Sequence, residues 1–119
     1  MKYTIPIYES VLYIVVAEDC AAAKAKLPKS LHSEMAGLEK DGVYGGSCSL
    51  DGEFAICFFT RYGPVTANTV FHEAGHTAFD ILSWHNVPIT VENQEAFTYL
   101  LGWLGELLMK AISKKKRKG

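Results

Sequence analysis

Short apolar runs of strand-forming residues, separated by turn residues, mark the first half of the chain. Residues 3–8 and 11–17, Tyr-Thr-Ile-Pro-Ile-Tyr and Val-Leu-Tyr-Ile-Val-Val-Ala, are β-branched and aromatic, and Glu9-Ser10 between them is short enough for a hairpin. Pro6 cannot donate to a ladder, which puts the first strand at a sheet edge. Glu18-Asp19 followed by Cys20-Ala-Ala-Ala-Lys-Ala-Lys-Leu27 predicts a short helix, its acids at the positive end and its stop at Pro28. Residues 29–40 read equally as loop or helical turn. A second strand pair follows, residues 43–50 and 53–60, joined by a turn at Asp51-Gly52, and Gly63-Pro64 ends the pattern.

Beyond that break the period lengthens to that of helices. From Thr66 to Trp84 only Gly75 weakens a helix, and Thr66 or Asn68 can cap it. Residues 85–90 form a connection. A second helix is expected from Val91 or Glu92 to Ile112, with Phe97, Leu100, Leu101, Leu104, Leu108 and Ala111 as its apolar stripe. The expected fold class is α+β: a small mixed or antiparallel sheet packed on two long helices. No repeat, linker or composition shift divides residues 1–113, which read as one domain.

Charge adds an appendage to this picture. Lys114-Lys115-Lys116-Arg117-Lys118-Gly119 carries five cations and no acid, leaving seven cations against 13 acids in residues 1–113, a net of −6. A body of that sign lacks the basic face with which nucleic-acid-binding domains displace counterions. Specific nucleic-acid binding is therefore not expected. The tail, 114–119, is expected to be disordered and solvated, with weak contact to nucleic acid or an acidic partner as its secondary reading. No apolar run approaches the roughly 18–20 residues that cross a bilayer, and the N-terminal residues lack the apolar stretch of a signal peptide. The expected location is cytoplasmic, without membrane contact; oligomeric state is left open. Cys20, Cys48 and Cys57, an odd number without Cys-x-x-Cys spacing, read as reduced, small apolar side chains.

The candidate chemistry is His72-Glu73-Ala74-Gly75-His76. Residues four apart on a helix lie one turn above each other, so both imidazoles project from one face and can share a metal ion. Zinc suits neutral nitrogen ligands. Glu73, about 100° round from His72, is poorly placed as a ligand but can take a proton from a water activated at the metal. The bland reading is two partly buried histidines bonded to backbone or carboxylate.

A catalytic zinc site wants a third protein ligand, and Asp80, His85, Glu92 and Glu95 are candidates. Asp80 is eight residues beyond His72, about 12 Å along one straight helix, and serves better as an acceptor for an imidazole N–H or as a surface acid. His85 does not fit the metzincin spacing, whose Gly and third His positions hold Phe79 and Leu82 here. Glu92 reads as a helix-start acid. Glu95, read as lying within the stripe of the second helix where a charge needs a partner, is the expected third ligand. Gly102 shares its face and would let the helices approach closely; Tyr99, one turn on, reads as a packed aromatic with its hydroxyl at the surface, the other reading being a hydroxyl donor to an oxyanion near the metal.

His72-Glu-Ala-Gly-His76 with Asn93-Gln-Glu-Ala-Phe-Thr-Tyr-Leu-Leu-Gly-Trp-Leu104 resembles the small gluzincin-like zinc metallopeptidases of phages and prophage-bearing bacterial genomes. The likeness extends over most of residues 2–112 and implies a minimal zincin-like domain. It implies Glu73 as general base, His72, His76 and Glu95 as zinc ligands, peptide or protein substrates, and residues 53–60 as the edge strand beside the cleft. Full-size thermolysin-like relatives carry a further lobe and an Asp four residues after the ligand Glu, where this chain has Tyr99. The competing expectation is a non-catalytic, phage-associated binding or accessory protein that keeps the metal-site scaffold.

Overall fold

A computed structural model describes the backbone of residues 1–118 and the side chains of residues 1–115. The fold is α+β. Four strands, β1 (Lys2–Thr4), β2 (Val11–Ala17), β3 (Gly45–Leu50) and β4 (Glu53–Phe59), form one mixed sheet in the order β1-β2-β4-β3. The β2–β4 pair is parallel and the two outer pairs are antiparallel. Helix α1 (Cys20–Lys24) and a 3₁₀ segment (Lys29–Leu38) cover one face, while α2 (Ala67–Trp84) and α3 (Gln94–Lys118) cover the other.

The central strands are apolar at every position but Glu53, because both of their faces are covered. On β2 and β4, Leu12, Ile14, Phe54, Ile56 and Phe58 point to α2 and α3. The alternate residues Val15, Ala17, Ala55, Cys57 and Phe59 point to α1 and the 3₁₀ segment. A one-residue slip of register would exchange the two sets. The hairpin between β3 and β4 is pinned by Asp51 (φ 49°) and Gly52 (φ 81°), both left-handed as a type I′ turn requires.

The first strand is shorter than its apolar run. β1 stops at Thr4, and residues 5–10 form a turn in which Ile7 and Glu9 have positive φ, since Pro6 cannot extend the ladder. The open stretch after Pro28 is the 3₁₀ segment, which buries Leu31 and Met35. Helix α2 begins where expected, with Thr66 Oγ1 accepting the Thr69 N–H at 3.3 Å. A short 3₁₀ turn, Val91–Asn93, capped by the Thr90 hydroxyl, precedes α3.

Helices α2 and α3 pack antiparallel. Phe79 meets Phe97 edge-on at 4.9 Å between ring centroids, and toward the other end the Phe71 ring lies against Gly105. The buried stripe of α3 is Leu100, Leu104, Leu108, Ala111 and Ile112. The backbone of α3 continues into the basic segment as far as Lys118. Of the expected tail, 114–119, the backbone of 114–118 is helical, and Gly119 lies outside the described residues. No helix among the described residues is long and apolar enough to cross a membrane.

Candidate metal centre

Helix α2 is amphipathic because Val70, Ala74, Ala78 and Ile81 recur at spacings of three and four and bury against the sheet. His72 and His76 fall on the opposite, exposed face. Their Nε2 atoms lie 3.2 Å apart and their ring centroids 4.7 Å apart. Two imidazole nitrogens this close either share one proton or direct their lone pairs at one cation. The bland reading, partly buried histidines bonded to backbone or carboxylate, does not describe them, since both are exposed and each has the other as its side-chain neighbour.

Glu73, about 100° round the helix from His72, turns toward the sheet. It is only 7% exposed, on the flank of α2 that faces β3. Burial raises its carboxyl pKa, while His72, His76 and the Ser47 side chain on β3 pull it back down. Ser47 went unnoticed in the sequence, yet the hairpin register carries the signal: Ser47 pairs with Ile56, and Ile56 faces the helices. One turn beyond His76, Asp80 has its pKa raised by burial and lowered by His76. It lines a shallow cavity with Ser49, Gly52 and Trp84.

The remaining candidates lie elsewhere. His85 caps the C-terminus of α2 and is engaged there, its Nε2 2.6 Å from Ser10 Oγ and its ring 4.8 Å from that of Tyr8. This contact joins the turn after β1 to the end of α2, and neither partner was singled out for it in the sequence. Glu92 is exposed in the 3₁₀ turn before α3. Glu95 is in the first turn of α3 and is exposed. At about 100° per residue it sits roughly 160° from the centre of the buried stripe. Its expected place within that stripe is therefore corrected: the stripe begins at Phe97, and Glu95 stands on the opposite side.

Two further expectations change with it. Gly102 shares the face of Glu95, but a side-chain carbon there would meet nothing within 4 Å, so it mediates no close approach. The close contact of the helices is at Gly105, where such a carbon would lie 3.5 Å from the Phe71 ring. Of residues 53–60, expected as the edge strand beside the cleft, 53–59 form β4, which is paired on both sides; the edge strand flanking α2 is β3.

The donor chemistry fits a zinc-type cation in part. His72 and His76 supply two converging nitrogens of the kind zinc prefers. Among the described residues no group of three or more His, Cys, Asp or Glu side chains comes together to complete a site. The three cysteines are all free and buried, and Cys57 has its thiol pKa pushed up to about 12 by burial, so thiolate ligation from them is disfavoured. No protein-family model, curated protein or solved structure matches the chain.

Proposed function

We propose that the chain is a zinc-dependent peptidase of minimal size, with His72, His76 and Glu95 as metal ligands and Glu73 as general base. The observation that supports it most is the convergence of the two Nε2 atoms at 3.2 Å on an exposed helix face, with a protected carboxylate one residue along. Zinc held there by His72, His76 and Glu95 would supply Lewis acidity to a substrate carbonyl and to an attacking water. Glu73 would hold the proton released at its carboxylate and return it to the departing amine. A carboxylate whose pKa is raised by its surroundings is suited to both transfers. The reading requires the first turn of α3 to bring Glu95 toward the histidines.

A second reading, a metal-site scaffold without turnover, is favoured by the exposed position of Glu95 on the far face of α3. The two separate in one experiment. Parent and Glu73→Gln proteins are assayed for zinc content and for cleavage of a mixed peptide library. The peptidase predicts equal zinc in both and cleavage by the parent alone; zinc without cleavage in either supports the scaffold.

A further inference from the structure

A separate feature lies where the end of α3 crosses β2. There a crevice of about 260 Å³ has Ile14, Val16 and Ala111 as its apolar floor. Lys26, from the turn after α1, and Lys114 and Lys115, from α3, stand on its rim, and no acid lines it. All three lysines are exposed, and none has an ion-pair partner among the described residues. The neighbouring Lys110 is different, since Glu106 holds it at 3.1 Å. The α-amino group of Met1, at the same crevice, has its pKa lowered by burial and then by Lys26, as expected where positive charges crowd together.

The placement matters because Lys26 is 88 residues from Lys114 in sequence. The fold gathers cations to this end of a molecule whose residues 1–113 sum to −6. Gathering like charges without counter-ions opposes folding unless an anion completes the arrangement in use. A bilayer surface fits poorly, because residues 113–118 contain no apolar side chain with which the end of α3 could enter one. A chain of phosphates fits better, since it needs only closely spaced cations and a groove to follow.

We infer that the crevice bounded by Lys26, Lys114 and Lys115 seats the phosphate backbone of a single-stranded nucleic acid, independently of base sequence. The basic segment and the folded domain act there as one surface, and Lys26 distinguishes this from a free basic tail acting alone. The inference does not depend on the histidine pair.

The test is fluorescence anisotropy of the full chain with labelled DNA and RNA strands of about 20 nucleotides, longer than typical single-strand sites. Binding is followed upward from about 50 mM salt. Log affinity should fall linearly with log salt for either strand. Lys26→Gln should reduce the slope by about 0.7, and Lys26→Gln with Lys115→Gln by about 1.4. Lys40→Gln, at a separate crevice that it lines with Asp19 and Glu39, should leave the slope unchanged. An unchanged slope in Lys26→Gln would overturn the inference, because the tail would then suffice. So would no binding at low salt, or binding to phosphatidylserine vesicles in place of either strand.

Discussion

Glu73 leaves α2 only one residue after His72, yet it is buried where His72 is exposed, because a helix turns by about 100° per residue. That divergence separates the proposed tasks, with nitrogens at the surface to hold a cation and a sheltered carboxylate to carry a proton. Glu73→Gln is expected to reduce peptide cleavage at least about 100-fold while zinc content stays unchanged. The cysteines support a different prediction. Burial pushes the thiol pKa of Cys48 to about 11 and that of Cys57 to about 12, and raises that of Cys20. Cys48 and Cys57 stay protonated as pH rises through 9 and Cys20 is buried, so a disulfide reagent should label none of the three quickly in the folded protein at that pH. All three should react once the chain is unfolded; rapid labelling of the native state would contradict their assigned burial. The histidine pair was legible in the sequence because i and i+4 spacing fixes a shared face. Ser47 and the Ser10–His85 contact were not, because each depends on which elements the fold brings together.

Local codes were strongest at the elements' ends. Thr66 caps α2 and Asp51-Gly52 closes the β3–β4 hairpin, as the sequence implied, while Asp19, expected only as an acid at the start of α1, also accepts the Ala22 N–H. Thr66→Ala should destabilise the protein by about 1 kcal/mol, read as a lower urea midpoint without a change in slope. Gly52→Ala should cost more, because Gly52 has φ 81° and an added carbon would lie 3.1 Å from Trp84 Nε1. Its thermal midpoint should fall by several degrees, and an unchanged midpoint would remove the turn from the account. Errors fell where local propensity yields to tertiary pairing. Residues 5–8 are β-formers by composition, but Pro6 and the positive φ of Ile7 turn them away from β2. β4 carries the longest apolar run of the hairpin because it is interior, and the same logic, applied to the Gly-Gly-Ser-Cys-Ser run of β3, points to that strand as the edge.

At the scale of the whole molecule, the sheet separates two clusters of side chains, and the α2–α3 pair over one of its faces carries the proposed metal centre. Leu104 is fully buried in the stripe that holds α3 in place. Leu104→Ala is expected to cost about 2–5 kcal/mol in denaturant unfolding. The central claim is that His72, His76 and Glu95 together hold zinc, although Glu95 stands on the exposed face of α3. Composition and spacing pointed to Glu95, but the rotation of α3 about its own axis is set by Leu100, Leu104 and Leu108 burying against the core. The most direct test is zinc affinity, by competition with a chelating dye, for the parent, His72→Ala and Glu95→Gln proteins. The account predicts one zinc per chain in the parent and affinity weaker by at least about 10-fold in each variant. Zinc bound equally well by Glu95→Gln, or not bound by the parent, would contradict it.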